Sequence, residues 1–530
     1  MPADMTAEPT FPADSAVASP ATFGLFDAHD FRLTDGRDAT APASAAARWY
    51  FEREVIAVPR AGLPVAGCAP HMRPFADVAR WASERDERAA PDYPPLVWVA
   101  APDVVRRARI ADDGRHLLAA NGSVPFELVP RIPLNRSYFD ASSLAFLRGR
   151  EMAVRGTRGA SAFVVRTLWP ADWRLGPQAP PDRPLPGDTP PGEGLRVRMR
   201  EAPRGGAAAP YAAETLWRRD DDTRDWRGRA VLAFVCNGAQ GDDDEAHAGH
   251  FAIATGRVAD DGDIGAWLVN SFYSLDIESE KGILAAPVPL DNYQGDLNSG
   301  QSWYRPTHVL VAVLDEPRAA HLVQSGLLRV FQQFWRHQLV YHHPRVNCTS
   351  MSVDTLRALG LPVPARGPTA VAGAFLRLPF DAIAQRSLAA ARSGYDYAVA
   401  DRTGLLPALA TEDVLATLLD CATGDRPPQS RLAQWLRRDL RAIALVRIPQ
   451  LPSSRAWGDA PVVSLAEYAA RVPRDPAQRQ IVPVPARPFP EALRDPDLLP
   501  AVPPPSALAE RLWRALVLAV VALAAILLLA

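Results

Sequence analysis

The chain of 530 residues carries 58 basic and 60 acidic side chains, for a net charge of −2, and is 48% hydrophobic and 22% charged. That balance excludes a polycationic nucleic-acid binder, so no nucleic-acid partner is expected, and the length leaves room for more than one core. The four cysteines, Cys68, Cys236, Cys348 and Cys421, form neither a metal-binding pair nor a dense disulfide framework, so no metal or other cofactor is expected.

Taken in order, residues 1–47 are rich in Ala, Pro, Thr and Asp without a sustained period and are expected to be disordered. Met1 to Pro20 lacks the basic and apolar stretches of a cleaved leader. Residues 48–175 read as a β-rich region of unassigned role. Strand-like runs fall at 54–58, 96–100, 126–130 and 161–168, and a helical pattern at 72–87. Residues 176–194 are a proline-rich linker. A second unit, 195–365, is expected to hold strands at 195–199, 230–236, 250–256, 266–273 and 307–314. A long helix follows, capped by Asp315 and running to about Val340, with Val323, Leu327, Val330 and Phe334 along one face. His342 and His343 are expected to cap its C-terminal end. Asn347 as N-cap and Gly360 as stop then bracket a short helix.

Residues 366–448 read as helical, with patterns at 381–392, 412–421 and 431–445. Residues 449–506 read as a proline-rich stalk, and 507–530 as a membrane anchor. The uninterrupted apolar run 515–530 would span about 24 Å as a helix, just short of a bilayer core of about 30 Å. Arg511 and Arg514 on its flank put the soluble part on the cytoplasmic side. The expected partner at this end is therefore the lipid bilayer, crossed once.

Chemistry concentrates at the short helix. Cys348 sits on its first turn, where the positive end of the helix dipole favours thiolate. His250 opens the strand Gly249-His250-Phe251-Ala252-Ile253, and Asn270 lies in the middle of the next strand. A thiol nucleophile, an imidazole base and a polar group that orients the ring are the parts of a cysteine acyl-transfer site. The Cys348 backbone N–H, with Asn347 beside it, would stabilise an oxyanion. The polar, aromatic loop 292–304, with Tyr293, Trp303 and Tyr304, would lie between the strands of the site and select substrate. Blander readings compete. Cys348 can be a packed small hydrophobe and His250 a strand-end histidine bonded to backbone. Cys236, inside an apolar strand, reads as a core thiol. His247 and His250 offer two metal ligands without a third.

The order of these motifs resembles a known family. Gly249-His250-Phe251 on a strand, Val269-Asn270-Ser271-Phe272-Tyr273 on the next, a long helix, then Asn347-Cys348-Thr349 opening a helix is similar to circularly permuted papain-like, NlpC-like thiol hydrolases. In these, His precedes Cys. The likeness is nearest to the Lnb N-terminal periplasmic domain family and covers roughly residues 230–362. It implies an α+β fold, with a small antiparallel sheet carrying the thiol helix. It also implies hydrolysis or transfer of an amide, ester or thioester acyl group, and a family usually found in the periplasm. The alternative is a non-catalytic, membrane-anchored scaffold built on a degenerate form of the same fold.

Overall fold

A computed structural model of the chain describes residues 17–35, 51–131, 138–201, 209–238, 249–275, 285–367, 371–424 and 427–459, apart from a few single positions, plus five isolated residues beyond. The fold is α+β.

Aromatic side chains anchor the start of the chain. Phe23, Phe26 and Phe31 are buried in a cluster with Val97, Val99 and Leu268, and Phe23 meets Phe31 edge to face at 5.2 Å. Strand β1 (Phe31–Asp35) pairs with β2 (Val55–Pro59), and β2 with β3 (Val97–Ala100). Part of the segment expected to be disordered is thus a strand. Burying each ring contributes roughly 1.5–3 kcal/mol, enough to override the Ala/Pro/Thr-rich composition around it. Between β2 and β3, helix α1 (Pro74–Glu84) begins on a proline, whose missing N–H costs nothing there.

The next five strands close on themselves. They are β4 (Asp103–Ile110), β5 (His116–Ala119), β6 (Gly122–Leu128), β7 (Met152–Arg158) and β8 (Phe163–Pro170), joined in the circuit β4-β5-β6-β8-β7-β4. Every pairing is antiparallel except β6 with β8. With helix α2 (Ala141–Leu147) linking β6 to β7, this is the strand order of an OB-type barrel. Strand β4 escapes sequence analysis because Arg107, at φ +54°, interrupts its alternation with a bulge facing β7.

Two assignments in the second unit change. Residues 195–199, expected as a strand, belong to α3 (Pro191–Glu201). Leu195, Val197 and Met199 alternate, but Leu195 is fully buried while Val197 is 55% exposed, so the alternation does not mark one buried face. The proline-rich stretch before it is not a free linker either. It runs beside β9 (Ala212–Arg218), with Thr215 N donating to Pro181 O at 2.9 Å and Arg183 N to Thr215 O at 2.8 Å.

The second sheet is seven-stranded and wholly antiparallel. Its strands are β9, β10 (Ala230–Asn237), β11 (His250–Arg257), β12 (Leu268–Ser271), β13 (Ala286–Pro289), β14 (Thr307–Leu314) and β15 (Leu440–Ile448), in the order β9-β15-β14-β10-β11-β12-β13. Helix α4 (Leu290–Gly295) follows β13, and α5 (Arg318–Trp335) follows β14. The long helix stops at Trp335 rather than near Val340, because His337 turns to φ +57°. Asp315 does not cap it; its carboxylate receives Arg229 and Arg441.

Helix α6 (Cys348–Ala358) comes next, then α7 (Val371–Ala384), α8 (Leu388–Ala398), α9 (Arg402–Leu405), α10 (Pro407–Thr423) and α11 (Arg431–Asp439). Residues 431–445, expected as one helix, divide at Leu440 between α11 and β15. The run Ala442-Ile443-Ala444-Leu445-Val446 is buried throughout, and an apolar run buried on both faces looks alike as strand or helix. Among the described residues no helix is long and apolar enough to cross a membrane. The expected anchor at 507–530, save Arg511, Arg514, Ala515 and Leu518, and most of the expected stalk lie outside the described residues.

Candidate active site

Local sequence dictates where the thiol sits. Asn347 Oδ1 accepts from the Thr349 and Ser350 backbone N–H groups at 2.8 and 2.9 Å, and Ser350 Oγ accepts from Asn347 N at 2.8 Å. This reciprocal cap starts α6 at Cys348. The far end is set by Gly360 at φ +84°, where a Cβ would stand 2.5 Å from Ser430 Cβ. Asn347 also donates through Nδ2 to His343 O at 2.7 Å. Its side-chain oxygen and one amide hydrogen therefore hold the helix start.

Helix α6 packs on β11, whose first residue is His250. Both side chains are nearly enclosed, Cys348 at 6% and His250 at 3% exposure. The thiol lies in hydrogen-bond contact with the His250 ring, with the Phe251 backbone N–H and with the Thr349 hydroxyl. Burial pushes its ionisation up, but the His250 charge and these hydrogen bonds outweigh burial and bring it from 9.0 down to about 7. The other three thiols go the opposite way. Burial lifts Cys236 and Cys421 to about 11 and raises Cys68 as well. The structure thus brings Cys348 and His250 together, and Cys236 is buried in its strand.

Asn270 is not the ring's partner. It pairs in register with Ile253, three positions along β11 from His250. An odd offset turns the two side chains to opposite faces of the sheet. There Asn270 forms a closed amide pair with Gln324 of α5, at 2.8 and 3.0 Å, and donates to Ile253 O at 3.1 Å. The neighbouring Ser271 faces the site, with Oγ 3.5 Å from His250 Nε2.

Two tyrosines complete the surroundings. The Tyr341 hydroxyl lies in hydrogen-bond contact with both the Cys348 backbone N–H and its thiol; burial and the thiolate hold this phenol well above its usual ionisation range. Tyr293 donates to Asn237 Oδ1 at 2.5 Å, and Asn237 stands directly across the strands from His250. Asn237 in turn donates to Thr307 Oγ1 at 2.6 Å. Sequence analysis passes over Tyr341; its only signal is a lone aromatic between the long helix and the thiol helix.

The expected substrate loop is core rather than rim. Trp303 is fully buried and Tyr304 nearly so. Trp303 Nε1 donates to Gly295 O at 3.2 Å, and Tyr304 OH to Asn298 O at 2.8 Å. The segment is clamped to the barrel by Arg166–Asp296 at 2.6 Å and Arg155–Asp291 at 2.5 Å. Of the three aromatics only Tyr293 reaches the site. The two histidines beyond α5 do not cap it: His343 Nδ1 lies 3.0 Å from Tyr397 OH. His247 lies outside the described residues, and among those described no group of three or more His, Cys, Asp or Glu side chains could hold a metal ion.

A cavity of about 560 Å³ reaches the neighbours of His250, Asn237 across the strands and Gly249 before it, and is lined further by His343 and Tyr397; the thiol on its wall is Cys236, not Cys348. A lowered thiol in contact with an imidazole, with a backbone N–H and a phenol at the sulfur and an adjoining cavity, is equipped for nucleophilic attack on a carbonyl. Compared with known proteins, the chain matches no family model, no curated protein and no solved structure.

Proposed function

We propose that the chain is a cysteine acyl hydrolase or acyltransferase of the permuted papain-like type, acting on an amide, ester or thioester. The observation that carries this reading is the contrast among the four thiols: burial raises three, while contact with His250 lowers Cys348 to about 7. The antiparallel sheet with α6 packed on its β11 strand supports the papain-like assignment.

In this reading Cys348 Sγ attacks the acyl carbon and its proton passes to His250. The carbonyl π electrons move to oxygen, which develops its charge beside the Cys348 N–H and the Tyr341 hydroxyl. The tetrahedral adduct collapses, His250 returns the proton to the departing nitrogen, oxygen or sulfur, and the acyl group remains on Cys348 as a thioester. Water or an acceptor nucleophile, deprotonated by His250, then releases it and regenerates the thiol. Ser271 takes the ring-orienting role. The apolar run 515–530 supports a single-pass anchor, which would hold this chemistry beside a bilayer.

The test exposes the full chain to matched thioester, ester and amide donors and locates the added acyl mass by peptide mass spectrometry. Acylation at Cys348, absent in Cys348→Ser, is the expected result. Labelling confined to other residues, or no labelling by any donor, overturns the proposal.

A further inference from the structure

The cavity beside His250 has a charged wall. Three arginines line it, Arg196 and Arg200 from α3 and Arg402 from α9, against one carboxylate, Glu412 of α10. Glu412 is already spent: Arg196 grips both its oxygens, with Nε to Oε1 at 2.7 Å. Arg200 and Arg402 are exposed at the rim and make no ion pair with any described residue. The lining also includes Asn237 and Gly249, the residue across from His250 and the one before it. A concave site one residue from His250, with two guanidinium groups that are unpaired among the described residues, attracts negative charge, and arginine's planar fork suits a carboxylate or phosphate.

We infer that the substrate is an acyl compound bearing a carboxylate or phosphate, seated against Arg200 and Arg402 while its carbonyl reaches Cys348. This deepens the acyl-transfer reading and rests on it.

Two alkylating reagents of nearly equal size separate the two ideas. Iodoacetamide is neutral and iodoacetate anionic; each loses iodide to Cys348 thiolate as a carbon–sulfur bond forms. The ratio of their rate constants on the full chain, relative to the same ratio on a small free thiol, reports local charge at the site. A preference for iodoacetate is expected, despite the net charge of −2 on the whole molecule. Arg200→Gln combined with Arg402→Gln should lower the ratio on the order of fivefold, since exposed charge interactions of roughly 0.2–1 kcal/mol each correspond to such factors. Arg257→Gln, at the far end of β11 from His250, should leave it unchanged. N-acetylglycine and inorganic phosphate, tried separately as competitors, tell carboxylate from phosphate by which slows iodoacetate more. A ratio no higher than the free thiol's, or one indifferent to the paired substitution, overturns the anionic substrate. Failure of iodoacetamide to react below about pH 8, where a free thiol of ordinary pKa is mostly un-ionised, overturns the acyl-transfer reading instead.

Discussion

Replacing His250 with alanine isolates what lowers the thiol. In the native site Cys348 ionises at about 7 because the imidazole offsets burial. Without it, burial is opposed by the Phe251 N–H and by the Thr349 and Tyr341 hydroxyls. Cys236 gauges the outcome, since it is buried without an imidazole and lies at about 11. The midpoint of Cys348 should therefore rise above the ordinary 9.0. At pH 7 its thiolate fraction falls from about one half to about one per cent or less. The rate falls less steeply. A more basic thiolate is a stronger nucleophile, with a Brønsted slope of about 0.4–0.5, so a two-unit rise recovers about eightfold and the net loss is about sixfold. The pH profile is thus the decisive readout, not the rate at one pH. Reaction of the full chain with a dipyridyl disulfide, followed from pH 5 to 10, supplies it. The other three thiols are raised and contribute little near neutrality, and Cys348→Ser defines their background. A midpoint still near 7 in His250→Ala would refute the imidazole as cause.

Four further outcomes are expected. Asn270→Ala should cost about 1–3 kcal/mol in urea denaturation, by stranding the buried Gln324 amide, and leave the thiol profile in place, whereas Ser271→Ala should move that profile upward with little loss of stability. Asn347→Ala should cost about 1–2 kcal/mol through the lost cap, and Asn347→Asp, which keeps the accepting oxygen, should retain most of it. His308 is buried, and its ionisation is depressed from 6.5 to about 4 by that burial and then by the Arg447 charge. The native state thus refuses a proton that the unfolded chain accepts. The stability involved is whole above pH 6.5 and lost as pH falls towards 4, by about 3 kcal/mol. Urea midpoints at pH 7 and 4.5 should converge in His308→Gln relative to the parent; an unchanged pH dependence would contradict the assignment.

The thiol helix was legible because its signals are local. Asn347 and Gly360 act on backbone groups within a turn of themselves, so their spacing marks the ends of α6; the reciprocal bond from Ser350 was not read. The His250–Cys348 contact was legible from motif order. Asn270 was misjudged by one step of the pleat. The register that turns Ser271 inward is set by pairing with Ile253 on another strand, which composition does not reveal. The aromatic loop misled for a related reason. Its polar groups look solvated in sequence, yet Asn292 and Asp296 are buried and satisfied by Thr167 and Arg166 of the barrel, more than a hundred positions away. Strand β15 was taken for helix because only its neighbours in the sheet distinguish the two.

The position of β15 also bears on how the chain is born. It inserts between β9 and β14, both synthesised well before it. At roughly 5–20 residues per second, the ribosome needs on the order of ten seconds to proceed from Leu314 to Ile448. Throughout that interval β14, an apolar strand buried along its whole length in the finished fold, lacks its neighbour on one side and offers a template for a foreign strand. The yield of folded protein should therefore respond to elongation speed between codons 314 and 448 more than to speed anywhere downstream.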